Sequence, residues 1–137
     1  ACKLQGMALG RRAWLLWASG RTEGRVAGLW CADYHGRRFT ELEIRDRGSL
    51  SGYLRSGVVR TDREGNITGV EAEIGRPLAL EEIRWTGGVL FFSTQEEGEA
   101  RDYYELRVRG GREAELTVRG LPVRPFPLMR QLPWGLA

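Results

Sequence analysis

Tyr104-Glu105-Leu106-Arg107-Val108-Arg109-Gly110-Gly111-Arg112-Glu113-Ala114-Glu115-Leu116-Thr117-Val118 decides the fold class. Tyr104, Leu106 and Val108 alternate with Glu105, Arg107 and Arg109, and Ala114, Leu116 and Val118 alternate with Glu113, Glu115 and Thr117. Successive side chains of a strand point to opposite faces, so each run presents one apolar and one charged face. Gly110-Gly111 between them predicts a two-residue turn with positive φ angles. The whole stretch reads as a β-hairpin lying on a core.

Upstream the same period of two recurs. Thr40, Leu42 and Ile44 alternate with Glu41, Glu43 and Arg45, and Leu50, Gly52 and Leu54 alternate with Ser51, Tyr53 and Arg55. Asp62-Arg63-Glu64-Gly65-Asn66 predicts a polar hairpin loop, and Val70, Ala72 and Ile74 follow it, with Gly69 marking a bulge. Leu78 to Trp85 forms a further segment with Ile83 and Trp85 facing one way. Thr86-Gly87-Gly88 then turns the chain into Val89-Leu90-Phe91-Phe92. Downstream, Pro122, Pro125, Pro127 and Pro133 restrict the tail to a single edge strand near Val123 to Arg130.

About eight short strands joined by hairpin-length turns predict an all-β domain with sequential antiparallel neighbours. Closing such a meander into a β-barrel removes its edges; a two-sheet β-sandwich is the alternative. The predicted organisation is an N-terminal arm over residues 1–24, a barrel over 25–130 and a C-terminal tail over 131–137. Met7 to Ala18 has room for about three turns of helix, marginal unless it docks on something.

With 137 residues, the chain is long enough to bury a core without metal or a disulfide web. Lys3 is the only lysine among 21 basic residues, and the net charge is +3. The arginines interleave with glutamates along the strands, which makes a mixed solvated face. Nucleic-acid binding needs a basic stripe, so it is not expected. Cys2 and Cys31 are compatible with a disulfide in an oxidising compartment and with two thiols in a reducing one. The single histidine, His35, predicts no metal site, and no cofactor motif is present. No run approaches the roughly 20 apolar residues of a membrane span. Arg11-Arg12 before Ala13-Trp14-Leu15-Leu16-Trp17-Ala18 has a signal-like flavour, but the apolar run is short for one. Localisation is left open.

Three short motifs give the pattern a family likeness. Gly28-Leu29-Trp30 opens the first strand as the G-x-W motif does in lipocalins and their calycin relatives. Asp102-Tyr103 resembles the end of the lipocalin T-D-Y motif, with Arg101 in the place of its threonine. Arg130 matches the arginine that packs over the motif tryptophan. The chain thus resembles the small bacterial lipocalin-like barrels over residues 28–130. That resemblance implies barrel-closing roles for Gly28, Trp30, Asp102, Tyr103 and Arg130, with the Arg130 guanidinium stacked on Trp30. The connection at His35-Gly36-Arg37 is too short for the helical lid of fatty-acid-binding proteins.

Candidate chemistry is sparse. Asp33 and His35 stand two apart as an imaginable acid–base pair, but Gly36 places His35 at a turn. No serine lies in a nucleophile motif. Trp85, Phe91, Tyr104 and Phe126 are the candidate lining of a ligand pocket, or else simply fill the barrel. Trp14, Leu15, Leu16 and Trp17 at one end and Trp134 at the other stand outside the strand pattern, and tryptophans serve well as interface anchors. The expected function is a non-catalytic binding or accessory module that docks on a partner protein. A carrier of a small hydrophobic ligand is the alternative, and a lipocalin-fold enzyme comes last.

Overall fold

The computed structural model describes residues 26–131. Eleven strands follow one another: β1 (Gly28–Tyr34), β2 (Arg37–Asp46), β3 (Leu50–Ser56), β4 (Val58–Thr61), β5 (Ile67–Ala72), β6 (Leu78–Ala79), β7 (Glu81–Thr86), β8 (Val89–Thr94), β9 (Asp102–Val108), β10 (Glu113–Arg119) and β11 (Phe126–Gln131). Nine form one antiparallel sheet in the order β6-β3-β2-β1-β11-β10-β9-β8-β7, and β4 pairs with β5 in a small sheet of its own. The two edges of the large sheet, β6 and β7, are separated in the chain by Leu80 alone. Its N–H donates to the Gly52 carbonyl of β3 at 3.0 Å. The sheet is therefore curled into a nearly closed barrel, and the sandwich alternative is set aside.

Closure corrects the expectation for the tail. β11 is no edge strand: β1 pairs with it from Leu29↔Gln131 to Cys31↔Met129, and β10 from Glu113↔Met129 to Leu116↔Phe126. Pro127 is tolerated because the β1 ladder covers only the end of β11 beyond it, so one side of the strand is free at that residue. The Gly110-Gly111 turn also differs from expectation, since neither glycine has a positive φ. The connection is instead a wider loop closed by the Arg109 N–H on the Glu113 carbonyl at 2.9 Å. Two-residue turns with both φ angles positive lie instead at His35 (50°) and Gly36 (81°), between β1 and β2, and at Gly87 (61°) and Gly88 (80°), between β7 and β8. The arm, with its possible helix over Met7 to Ala18, lies outside the described residues.

Inward alternation fills the interior. Trp30, Leu42, Leu54, Leu90, Leu106, Leu116 and Leu128 are each essentially inaccessible to solvent. A bulge between Ala32 and Asp33 breaks the alternation where β1 meets β2. Thr40 and its neighbour Phe39 are both buried as a result, and the Phe39 ring reaches Phe126 at 5.2 Å. The β4–β5 hairpin leaves the barrel wall and folds across one end, burying Val70. Its tip is clasped to the β10–β11 loop by the Arg124 N–H on the Gly65 carbonyl at 2.9 Å, and its base by the Arg37 guanidinium on the Val70 carbonyl.

Gly52 shows how tightly the wall is drawn. It is buried opposite Ile44, and a side chain there would collide with the backbone carbonyl of Glu43. Gly52→Ala is expected to destabilise the barrel by about 3 kcal/mol, the upper range for overpacking. A urea-denaturation midpoint measured on both proteins checks this.

Candidate binding site at the barrel mouth

The two ends of the barrel are built differently. At the closed end the Trp30 indole N–H donates to the Val26 carbonyl at 2.9 Å, and Val26 itself is fully buried. The Arg130 guanidinium lies over the Trp30 ring at 4.5 Å. Burial lowers the pKa of Arg130 from its ordinary value, a cost that the ring's negative face partly offsets. Gly28 approaches Arg130 with φ at 142°, a conformation that side chains disfavour.

The opposite end is a mouth. Phe39 and Leu54 from β2 and β3, Tyr104 from β9, Leu116 and Val118 from β10, and Phe126 from β11 wall a half-open pocket of about 210 Å³. Val59 closes it from β4, and Leu121 and Val123 from the β10–β11 loop. Tyr104 is held from behind by Phe92, stacked at 4.9 Å with 12° between the rings. Burial raises the Tyr104 hydroxyl above the usual phenol range, so it stays a neutral donor. The polar rim consists of Thr40, Ser56 and Asp102.

The structure sorts the residues singled out in the sequence. Gly28, Trp30 and Arg130 come together at the closed end. Asp102 and Tyr103 do not join them: Asp102 lines the mouth, and Tyr103 points outward, 48% exposed. They stand opposite Thr94 and Ser93 at the start of β9, away from the Trp30–Arg130 pair that the T-D-Y likeness would set them beside. Of the four candidate pocket aromatics, Tyr104 and Phe126 share the pocket. Phe91 faces outward beneath the Arg84 guanidinium at 4.6 Å, and Trp85 packs against the core beside Leu90. Trp14, Leu15, Leu16, Trp17 and Trp134 lie outside the described residues.

Phe39, Val118 and the rim carboxylate of Asp102 were not foreseen as pocket residues. Strict alternation from Thr40 and Leu42 turns Phe39 outward, and only the bulge reverses that. Val118 and Asp102 could have been found by following the inward parity of β9 and β10 to their upper ends.

Elsewhere the polar groups are tied up. Asp33 accepts from the Arg38 guanidinium at 2.8 and 3.5 Å, while His35 is exposed and touches Tyr34 edge-on. These two do not form an acid–base pair. Ser93 is fully buried, its hydroxyl bonded to Glu82 at 2.6 Å and to Arg101 at 3.0 Å. Glu82 occupies a bulge of β7 at φ 52°, so that its carboxylate folds back onto Ser93. Among the described residues no group of three metal-ligating side chains is found, and no helix is long and apolar enough to cross a membrane. Comparison of the chain with protein-family models, with curated proteins and with solved structures finds no match.

Cys31 is a free, buried thiol, and Cys2 lies outside the described residues. Burial pushes the Cys31 thiol up to about 11 from 9.0, which leaves it a poor nucleophile at neutral pH. The shift has a definite sign. Burial of the neutral thiol favours the fold below pH 9, and that contribution is lost as the pH rises through 11. In a Cys2→Ser background, iodoacetamide at pH 8 should modify native Cys31 about 100-fold more slowly than the urea-unfolded thiol, from the thiolate fractions alone. Mass spectrometry against time reads the ratio.

Proposed function

We propose that the chain is a non-catalytic, lipocalin-like binding module that docks on a partner protein. The observation that carries this reading is the filled interior. From Trp30 upward the barrel is packed with leucine and aromatic side chains, and the space left at the mouth is about 210 Å³. Pockets for drug-sized ligands start at roughly 300 Å³, so a lipid or a tetrapyrrole has no room inside. The Arg130–Trp30 stack behind Gly28 supports kinship with lipocalin-like barrels. The engaged state of Asp33 and Ser93 and the raised thiol of Cys31 support a role without covalent or acid–base chemistry. The docking anchors are the apolar residues outside the strand pattern: Trp14, Leu15, Leu16 and Trp17 before the barrel, and Trp134 after it.

A second reading has one specific observation in its favour. The mouth pocket is walled by apolar and aromatic side chains with a few polar groups at the rim, the composition of a small-ligand site. On this reading the barrel carries a ligand much smaller than a fatty acid.

The docking reading is tested by native mass spectrometry of the protein isolated gently from its source, as the parent and as Trp14→Ala/Trp17→Ala. A heavier complex for the parent that disappears in the variant, with unchanged far-ultraviolet circular dichroism, is the expected result. A complex that persists in the variant, or a parent that is always a bare monomer, would overturn it.

A further inference from the structure

We infer that the mouth pocket is a site for a small organic ammonium ion, held between aromatic faces and the Asp102 carboxylate. The inference rests on the second reading, that the mouth takes a ligand, and names the class of that ligand. Three observations lead to it.

The first is charge. Among the described residues, Asp102 is the only carboxylate or basic group lining the pocket. Three arginines near this rim are committed elsewhere, Arg101 to Glu81 at 2.6 Å, Arg119 to Glu105 at 3.7 Å and Arg37 to Glu73 at 3.2 Å, while Arg124 enters no ion pair among the described residues and does not line the pocket. Among the described residues no hydrogen bond or ion pair is made by the Asp102 side chain. On a surface where most carboxylates near a strand find an arginine, one half-buried carboxylate is left without a cation at the edge of an apolar pocket.

The second is the wall itself. Phe39, Tyr104 and Phe126 all line the pocket. The Phe39 and Phe126 rings are tilted by 59° to one another, and the Tyr104 ring is fixed by its stack on Phe92. An aromatic face attracts a cation, more strongly where water is excluded. A carboxylate beside three rings favours a positive head group and disfavours an anion or a neutral polar ligand.

The third is size and access. A volume of about 210 Å³ suits a ligand of roughly ten heavy atoms or fewer, well below drug size. The mouth is roofed on one side by the β4–β5 hairpin, clasped at Gly65 to the loop carrying Leu121 and Val123. Asp62 accepts the N–H groups of Glu64 and Asn66 at 3.0 and 2.9 Å, which fixes the hairpin tip. The roof is therefore a preformed wall for a compact guest.

Benzylammonium and its neutral isostere benzyl alcohol are the probes, titrated calorimetrically into the parent, Asp102→Asn and Val123→Trp. Benzylammonium should bind the parent at least tenfold more tightly than benzyl alcohol. Asp102→Asn should erase that preference while leaving benzyl alcohol unchanged, and Val123→Trp, which fills the pocket from the loop, should weaken both. Equal binding of the two probes by the parent would overturn the ammonium inference and leave the pocket reading standing. Binding of neither would overturn both. The comparison of probes on the parent decides between these outcomes even if a variant fails to fold.

Discussion

Trp30 sits where the first and the last described strands are joined. Its strand, β1, pairs on one side with β2, its neighbour in sequence, and on the other with β11, the last strand described. Without that second pairing the meander would end in exposed ladder groups, an open edge on which other chains could add. The indole cannot be buried unless its N–H finds an acceptor, and the Val26 carbonyl supplies one just before the strand begins. Arg130 then has to lie over the ring, because Trp30↔Arg130 is one of the pairs that closes the barrel. A guanidinium suits this position better than an ammonium would, since it is planar, weakly hydrated and stacks on aromatic faces.

From that closure the distribution of space follows. The leucines contributed by β2, β3, β8, β9, β10 and β11 pack above Trp30 at interior density, and little room remains until the upper turns. There the alternation is interrupted by the bulge at Ala32 and Asp33, which adds Phe39 to the wall, and the β4–β5 hairpin crosses overhead. The mouth pocket is thus the gap between a filled barrel and a roof that is clasped to it at Gly65. Its dimensions are set by bulky side chains of Leu54, Leu116 and Phe126 below and by the loop residues Leu121 and Val123 at the side.

Much of this was legible in the sequence, and the illegible parts have physical causes. Thr40-Leu42-Ile44, Leu50-Gly52-Leu54, Tyr104-Leu106 and Ala114-Leu116 face inward as their period of two requires. Periodicity cannot report a bulge, so Phe39 was hidden. It also cannot report pairing partners, so β4 and β5 gave no sign of forming their own sheet, and Pro127 made β11 look like an edge. The Asp102-Tyr103 dipeptide resembled a barrel-closing motif because sequence similarity carries no height along the barrel axis. In the pairing Thr94↔Asp102 that height becomes visible, and it puts the pair at the mouth.

The charges complete the argument about what this surface is for. Outward-facing arginines and glutamates pair across neighbouring strands, as in Arg109–Glu115 at 2.9 Å and Arg119–Glu105 at 3.7 Å. Such exposed pairs contribute about 0–1 kcal/mol each, so they do not hold the barrel together. Their effect is to offset one another locally, while Arg84, Arg107, Arg112 and Arg124 enter no ion pair among the described residues. Asp102, half-buried at the mouth, stands outside these pairs. Asp102 is the carboxylate that the fold sets beside an apolar, aromatic-lined opening, because β9 begins there with the inward parity of Tyr104 and Leu106.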